Sequence, residues 1–373
     1  MSLNLTTGII PFSELFERLM TLAKIDSFNN EDYAKGLIND AYTRALPNLN
    51  DWNVITKDAF LRMSASVNAG TVACTAGTTT VTGSGTAWTT AMTYANGWRI
   101  KFAGLNQVYE FTASGAGAAT INPALEGETN LVAQGYNLFR DEYSLPSDFD
   151  RFLKNGSIYV FQGGRRYNTI AEIPRDQFRE QFFPEPLDPI FRAMLTRVDT
   201  NGNRMVRLNP PPKTAKVYPI DYIPKIAPMR EYTTGTASVN TGSPVVTGSG
   251  TLFLANCVAG SYFRVDTVGQ GDSSKWYQIL SVDSNTQITL TSNYEDAIES
   301  GIDYTVSSAP SAFPSEFHEF ILMEAVSVAV ASADDPNTEA MIARRSDVLN
   351  RLNKNYKSRR TNSQYGVDDG GYR

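Results

Sequence analysis

Apolar residues near the N-terminus recur every three or four positions, the spacing of one face of a helix. Residues 12–25 carry one such stripe, and Ser13 is its expected cap. A second stripe runs from Tyr33 to Ala45, with Asn29 as the expected cap. Pro47 is expected to end this helix, because the residue before a proline disfavours helical backbone. The N-terminal region is therefore predicted to form two helices.

Helical spacing returns after residue 308. Pro314-Ser315 is expected to begin one helix, and Asp335-Pro336 the next, since a cap followed by proline at the first helical position is typical of a helix start. The stripe of the last helix contains Ile342, Leu349, Leu352 and Tyr356. Neither terminal helix pair has enough partners alone, so we expect both to share one discontinuous core.

Between the terminal helices, one pattern of short apolar runs occurs twice. The hexapeptide Val-Thr-Gly-Ser-Gly-Thr stands at residues 81–86 and again at 246–251. Matching residues flank it in both copies: Gly70 and Gly235, Trp88 and Phe253, Gly97 and Gly260, Tyr109 and Tyr277, Glu126 and Glu295, Tyr136 and Tyr304. Richness in Thr, Val, Gly and Tyr predicts short strands joined by glycine turns. We call residues 69–138 module A and residues 233–308 module B.

The segment between the modules, residues 139–232, has a mixed pattern. Asn201-Gly202 lies between two apolar runs and is the strongest hairpin signal in the chain. Val217 to Ile223 suggests a further strand, and the pattern from Trp52 to Val67 fits either a helix or a strand.

Together these patterns predict an α+β fold. It is expected to have a discontinuous helical core with a small β region, interrupted by two duplicated all-β insertions that are sandwich-like or barrel-like. The core is assigned to residues 1–68, 139–232 and 309–360, and a flexible tail to residues 361–373. Such insertions are tolerated where their ends lie close together at a surface.

Composition limits the function. The chain has 373 residues and a formal net charge of -6, which argues against a protein that mainly coats nucleic acid or lies on an anionic membrane. No stretch approaches the roughly 20 apolar residues that span a bilayer, and the N-terminus lacks a basic region followed by an apolar run. We therefore expect a cytoplasmic origin. The two cysteines, Cys74 and Cys257, are expected to be free thiols.

Motifs for catalysis or metal binding are weak. His318 is the only histidine, which precludes a multi-histidine metal site within the chain, and its place at a helix start favours capping or packing. Gly-Ser-Gly at 83–85 and 248–250 lacks the lysine of a phosphate loop and predicts turns. Residues 199–203 lack the closing acid of a calcium loop, and nothing selects a carboxylate pair for glycoside hydrolysis. We predict no enzyme activity, no cofactor and no metal.

Four segments outside the modules follow one another in a characteristic order. They are the Tyr33 to Ala45 helix ending at Pro47, Leu-Pro-Ser-Asp-Phe-Asp-Arg at 145–151, Leu-Asn-Pro-Pro-Pro at 208–212 before a strand ending in Tyr222, and Phe-Pro-Ser-Glu-Phe-His at 313–318. In this order they resemble the head-to-tail adaptor (connector) proteins of tailed bacteriophages. The segments they anchor cover roughly half of the chain, and the repeated β pattern is similar to modules that recur in phage virion proteins.

The resemblance implies a structural virion protein made in the host bacterial cytoplasm. Adaptors of this kind assemble as a ring, usually of twelve copies, at the head-tail junction. The implied partners are the portal protein, a tail or nozzle protein and further copies of the chain, with non-specific contact to packaged DNA and none to a membrane. The family usually has a compact core, so the two modules are a departure. They either brace neighbouring subunits or project outward to hold tail fibres.

The basic end of the last helix is the expected portal-docking site. It contains Lys354, Tyr356, Lys357, Arg359 and Arg360. A favourable interaction of these charges with the helix dipole and with water explains them equally well. An apolar helical face buried between subunits would supply most of the association energy.

Two other functions compete with this one. A tail-fibre or tail-surface protein would use the modules to bind host glycans, with Trp88 and Trp276 as stacking platforms, although burial of both tryptophans in the cores is the simpler interpretation. An enzyme that depolymerises host polysaccharide is the weaker third.

Overall fold

The computed structural model describes residues 9–25, 27–127, 129–153, 158–162, 165–180, 183–266, 275–332 and 336–356. The chain divides into two compact units. Unit 1 consists of residues 1–55 and 226–373 and holds the terminal helices and module B. Unit 2 consists of residues 56–225 and holds module A.

The helices and strands are numbered along the chain. The α-helices of the described residues are α1 (Phe12–Ala23), α2 (Ser27–Asp40), α3 (Leu46–Leu49), α4 (Arg175–Glu180), α5 (Phe253–Asn256), α6 (His318–Ser332) and α7 (Thr338–Tyr356). The strands of unit 2 are β1 (Lys57–Arg62), β2 (Thr71–Cys74), β3 (Thr80–Ser84), β4 (Trp98–Phe102), β5 (Val108–Gly115), β6 (Ala118–Asn122), β7 (Leu131–Gln134), β8 (Tyr136–Arg140), β9 (Glu142–Ser144), β10 (Phe149–Phe152), β11 (Ile158–Gln162), β12 (Arg165–Glu172), β13 (Arg192–Val198), β14 (Arg204–Asn209) and β15 (Val217–Pro224). The strands of unit 1 are β16 (Glu231–Tyr232), β17 (Thr236–Val239), β18 (Val245–Ser249), β19 (Tyr262–Val265), β20 (Tyr277–Ser284), β21 (Gln287–Leu290), β22 (Glu299–Ile302) and β23 (Tyr304–Ser307).

Helices from both ends of the chain pack together in unit 1. α1 lies against α2 and α6, α2 also contacts α6, and α7 packs on α6. α6 is apolar on several sides, as expected of a helix surrounded by neighbours, and it buries Phe320, Ile321 and Val326. Trp52 makes a T-shaped contact with Phe317, with 5.1 Å between ring centroids. The two terminal helix pairs thus bury their apolar faces against each other.

The predicted start at Pro314-Ser315 is confirmed, since Pro314 is the cap of a short helical turn at Ser315–Phe317 that continues into α6. The starts of α1, α2 and α7 differ from the predicted ones. α1 has Pro11 at its cap position, and the buried Ser13 hydroxyl donates a hydrogen bond to Glu231 instead of capping the helix. Asn29 lies inside α2, one residue before a break in the helical backbone at Asn30. Asp335 lies outside the described residues. α7 begins at Thr338, so Pro336 is not its first helical residue as predicted.

Pro47 does not end the second helix as predicted. A π-helical turn at Ala41–Ala45 continues α2, and the Leu46 N–H donates to the Ala41 carbonyl, five residues back. Pro47 then lies in the first turn of α3. Proline is tolerated there because N–H groups of a first turn have no acceptor within their own helix.

An eight-stranded sheet, here called the large sheet, occupies the part of unit 2 outside module A. Its strand order is β1-β15-β11-β12-β13-β14-β9, and β10 also pairs with β15. The predicted hairpin is confirmed, since β13 and β14 pair with Ala193 opposite Leu208 and the Asn201-Gly202 turn between them. Leu61, Phe149 and Tyr222 are among the side chains of its core.

The predicted α+β fold with a discontinuous helical core is wrong, because the protein is predominantly β. Only 26% of it is helical, whereas the three sheets contain eight, eight and seven strands. The error lies in the region predicted to have little β structure, which forms the large sheet. Its strands carry weak signals: β9 has only three residues, and the charged β1 fully buries only Leu61.

The two modules share one strand order. Module A follows β7-β2-β3-β6-β5-β4-β8, and module B follows β22-β17-β18-β21-β20-β19-β23 with β16 added beside β23. The register repeats as well, since Val81 pairs with Ala119 and Val246 with Ile288. β7 and β8 lie at opposite edges of this order, yet a single residue separates them in the chain. The sheet therefore curls into a half-barrel, and the ends of its two edge strands come close together.

The repeated hexapeptide forms the same turn in both modules. Its second glycine has a positive φ, 66° in module A and 69° in module B, which glycine adopts without steric cost. Its first glycine lies against an aromatic ring: a Cβ on Gly83 would stand 2.9 Å from the Trp88 ring, and one on Gly248 2.8 Å from the Phe253 ring. Backbone geometry and close packing therefore explain both glycines, and the predicted turns are confirmed.

Candidate functional site

The predicted portal-docking residues lie at the end of α7. Lys354 is exposed, whereas Tyr356 is partly buried and its ring packs against Phe317 with 4.9 Å between centroids. Lys357, Arg359 and Arg360 lie outside the described residues. The structure thus places Lys354 and Tyr356 in the same last turn, and Tyr356 also contributes to packing.

Lys354 differs from other basic residues of α7. Arg344 and Arg351 both pair with Glu319 of α6, at 3.4 and 2.5 Å. Within the described ranges, Lys354 makes no ion pair. The positive charge at the end of α7 is therefore not neutralised by α6.

His318 is buried between the N-terminal segment and the start of α6. Its Nδ1 accepts a hydrogen bond from the Ile10 N–H at 3.0 Å. Burial lowers the pKa of His318 to about 4, although hydrogen bonding to the Phe313 and Pro310 backbone opposes the shift. The imidazole is therefore neutral at pH 7, and this geometry agrees with the predicted packing role.

The thiols and tryptophans are mostly internal. Both cysteines are free and buried, as predicted, and burial raises the pKa of Cys257 to about 12. Trp88 is buried in module A, where its Nε1 donates to the Tyr136 hydroxyl at 3.1 Å. Trp276 is partly exposed, but the Arg264 guanidinium lies over its ring, 4.5 Å from the centroid. The proposed glycan platforms are thus one core residue and one ring that is already covered on one face.

The loop at residues 199–203 is a hairpin turn stabilised by Asp199. Its Oδ1 accepts hydrogen bonds from the Asn201 and Asn203 N–H groups, both at 2.8 Å, and its Oδ2 accepts from the Asn203 side chain. Both carboxylate oxygens therefore serve the turn. Across the part of the chain that the structure describes, no cluster of His, Cys, Asp and Glu is suited to hold a metal ion.

Each module is held in its unit through a cation at an equivalent position. Lys101 on β4 comes just before Phe102, which pairs with Tyr136. Arg264 on β19 comes just before Val265, which pairs with the matching Tyr304. Lys101 forms an ion pair with Glu185, and Arg264 forms one with Glu17 of α1 at 3.5 Å. The duplicated strand thus presents a cation to a different host segment in each copy.

Module A is joined to the large sheet by a buried cluster of charges. Arg99 on β4 bonds both carboxylates that follow β8, from Nε to Asp141 Oδ1 and from Nη2 to Glu142 Oε1, each at 3.0 Å. The Arg207 Nε on β14 donates to Asp141 Oδ2 at 2.7 Å. The Arg197 Nε on β13 donates to Glu142 Oε2 at 2.9 Å. Every carboxylate oxygen of the pair therefore has a guanidinium partner.

Burial does not neutralise Arg99. Burial alone would lower the pKa of Arg99, but the charges of Asp141 and Glu142 outweigh it and raise that pKa. Buried ion pairs add little net stability because desolvation offsets their attraction, yet removing one partner costs about 3–5 kcal/mol. Removal of any one charged residue of the cluster should therefore weaken the attachment of module A to the large sheet.

The cluster borders a cleft of about 440 Å³, here called the arginine cleft. Five arginines line it: Arg99, Arg175, Arg179, Arg197 and Arg207. The Arg197 guanidinium lies over the ring of Tyr94, 4.3 Å from its centroid, and buried Phe178 contributes an apolar wall. Arg175 and Arg179 project from α4 and are exposed, with no ion-pair partner among the residues described.

The sequence analysis did not identify the arginine cleft. Arg99 and Asp141 are 42 residues apart, and Arg207 and Asp141 are 66 apart, so no local spacing marks the cluster. A comparison of the two copies carries a partial signal. Module A is followed by charged residues from Arg140 to Glu142, whereas the matching place after module B reads Ser-Ala-Pro.

A comparison with models of known protein families gives no match, and a search of curated proteins gives no significant match. Among the helices within the described ranges, none is both long and apolar enough to cross a membrane. The function is therefore inferred from the geometry above.

Proposed function

We propose that the chain is a structural virion protein whose ring joins the portal of a phage head to the tail and continues the DNA channel. The observation that carries this proposal is that the four segments resembling phage adaptors meet in pairs. Tyr42, in the first segment, lies 6.0 Å from Phe313, in the last, by ring centroids. Its hydroxyl also accepts a hydrogen bond from the Ala312 N–H at 3.2 Å.

The two middle segments meet in the same way. The Tyr222 hydroxyl donates to Asp148 at 2.8 Å, and the Tyr222 ring lies 5.8 Å from that of Phe149. These contacts join residues about 74 positions apart. The first segment thus packs against the last, and the second against the third. Such packing of the adaptor-like segments in pairs supports a common origin with adaptor cores.

Ring assembly would use apolar area that the helices leave exposed. Val328 on α6 and Ile342 on α7 are 46% and 44% exposed. Burial of apolar area contributes roughly 25 cal/mol per Å², and ring closure adds the contribution of every subunit contact. Lys354 at the end of α7 would then meet the portal, and the modules, held by ion pairs and buried cores, would brace neighbouring subunits.

Sedimentation velocity tests the proposal directly. The full chain is measured alone and mixed with portal rings from the same phage. We expect one larger species that contains both proteins. A chain that sediments independently of the portal would overturn the proposal, and a trimer in that case would favour the tail-fibre alternative.

A further inference from the structure

We propose that the arginine cleft is a binding site for phosphate groups, presented either by a free phosphate compound or by a DNA backbone. The site lies wholly in unit 2 and does not include the α7 residues assigned to portal docking. A defined phosphate site goes beyond the non-specific DNA contact of the adaptor role and does not depend on that role.

The cleft has an excess of positive charge. Five arginines line it. Two carboxylates, Glu142 in the lining and Asp141 buried behind it, are bonded to these arginines, and a third, Glu110, hydrogen-bonds the lining residue Tyr94. Five cations minus three anions leave two positive charges. The formal net charge of the chain is -6, so this local excess runs against the overall balance. A concave site of one sign concentrates ions of the opposite sign.

The two carboxylates do not repel a ligand as free acids would. Each oxygen of Asp141 and Glu142 already faces a guanidinium nitrogen at 2.7 to 3.0 Å. Each guanidinium carries five N–H donors, so these contacts do not exhaust the hydrogen-bonding capacity of Arg99. The cluster fixes the positions of its arginines in advance, and fixed donors lose less entropy when a ligand binds.

Arg175 and Arg179 provide the exposed side of the cleft. They are four residues apart on α4 and therefore share one face of the helix. Phe178, between them in sequence, is buried with the Arg207 guanidinium 5.8 Å from its ring centroid. Asp176 and Glu180, the acids of the same helix, do not line the cleft. Both exposed arginines can thus approach an anion held by the buried cluster.

Phosphate fits this arrangement better than carboxylate does. A phosphate monoester carries about -1.5 to -2 charges at neutral pH and three acceptor oxygens, whereas a carboxylate carries one charge and two oxygens. Planar guanidinium groups bind phosphate through paired hydrogen bonds. The volume of about 440 Å³ lies within the range of ligand pockets, about 300–1,000 Å³. The cleft therefore has the volume of a small-ligand site.

The test uses the full chain and two probes, inorganic pyrophosphate and a short fluorescent DNA duplex. Pyrophosphate binding is measured by calorimetry, and duplex binding by fluorescence anisotropy at low salt. We expect the double variant Arg175→Gln and Arg179→Gln to bind the probes at least about tenfold more weakly, because it removes two charge-assisted contacts. Circular dichroism checks its fold, and either single variant repeats the test if the double variant does not fold.

A matched control removes the same charge elsewhere in unit 2. Arg62 and Lys213 are exposed and do not line the cleft, so Arg62→Gln with Lys213→Gln should change affinity less than about twofold, the effect of overall charge alone. Three results would overturn the proposal: no binding of either probe, equal losses in control and cleft variants, or a poly-aspartate peptide that binds as tightly as pyrophosphate.

Competition identifies the source of the phosphate. Displacement of the duplex by pyrophosphate places the DNA backbone in the cleft. Binding of pyrophosphate without binding of the duplex assigns the site to a free phosphate compound. Co-sedimentation with portal rings separates the two proposals. A cleft variant that binds the portal normally but has lost phosphate binding supports both proposals. A parent chain that binds phosphate but does not co-sediment with the portal contradicts only the adaptor role.

Discussion

Ala133 in module A and Gly301 in module B occupy the same bulge, and both have a positive φ, 48° and 65°. Each is the third residue of its strand, β7 or β22, where the pairing with the neighbouring strand shifts register. A side chain with a Cβ disfavours this backbone, and glycine does not. Module A therefore carries a strain at this position that module B avoids.

We predict that Ala133→Gly stabilises unit 2 by about 0.5 kcal/mol. Relief of left-handed backbone strain is worth about 1–2 kcal/mol, and the greater freedom of glycine in the unfolded chain offsets about 0.5–1 kcal/mol of it. The Ala133 side chain is exposed, so its loss removes little buried area. Thermal unfolding of the full chain measures the change.

The reverse substitution in module B is the control. A Cβ at position 301 meets no atom within 4 Å, so Gly301→Ala tests the backbone alone and should destabilise unit 1 by about 0.5 kcal/mol, the same balance with the opposite sign. If both substitutions shift stability in the same direction, the equivalence of the two bulges fails.

Features that arise from short stretches of chain were predictable. The hexapeptide recurs because each of its glycines is needed locally, for backbone geometry or for close packing. Asn201-Gly202 lies in a hairpin turn because Gly202 adopts the left-handed backbone there, with φ 81°, which glycine accepts without steric cost. The repeat predicted two equivalent β modules, and the structure shows the same strand order in both. The apolar stripes also predicted helices correctly, as did the start at Pro314-Ser315, whereas the predicted caps of α1 and α2 and the end at Pro47 were wrong.

Features that depend on distant partners were not predictable. β1 carries charges and buries one apolar side chain fully, and only its pairing with β15, beginning at Lys57 opposite Tyr222, makes it a strand. Pro47 continues a helix because a π-turn precedes it. The arginine cleft is lined by residues of β4, α4, β13 and β14, and no periodic pattern in the sequence indicates that these four elements lie close together.

Replacement of Asp141 by asparagine should destabilise unit 2 by about 3 kcal/mol. Asp141 is 0% exposed and bonds Arg99 and Arg207. Asparagine keeps the shape but removes one negative charge from the buried cluster, and removal of one partner of a buried ion pair costs about 3–5 kcal/mol. Urea unfolding of the full chain, followed by intrinsic fluorescence, measures the loss.

Lys57→Gln is the control for Asp141. Lys57 pairs with Asp148 at 2.7 Å, but its side chain is 56% exposed, and exposed pairs contribute about 0–1 kcal/mol. Similar losses in the two variants would show that burial does not distinguish the Asp141 cluster from an ordinary surface pair.

His318 should make unit 1 less stable as the pH falls. Its folded-state pKa is about 4, below the ordinary 6.5, so the unfolded chain binds more protons between these values. The stability contributed by neutral His318 is complete above about pH 6.5 and is lost as the pH falls toward 4. By linkage the loss between about pH 7.5 and pH 5 is about 2 kcal/mol.

The variant His318→Asn isolates this effect, because His318 is the only histidine in the chain. The asparagine Oδ1 can still accept the Ile10 N–H, and it does not titrate. Urea midpoints followed by far-UV circular dichroism should fall less with pH in the variant than in the parent. Parallel pH profiles would mean that His318 is not held neutral by the fold.

Removal of residues 357–373 should abolish portal binding and leave unit 1 folded. The cut belongs after Tyr356, because that ring packs against Phe317 and Leu352 is buried, so an earlier cut would also remove packing. If the charges dock to the portal, the full-length variant Lys357→Gln, Arg359→Gln and Arg360→Gln should lose binding as the truncation does. If they only complement the helix dipole, worth about 0.3–1 kcal/mol, that variant should unfold slightly earlier and still co-sediment with portal rings.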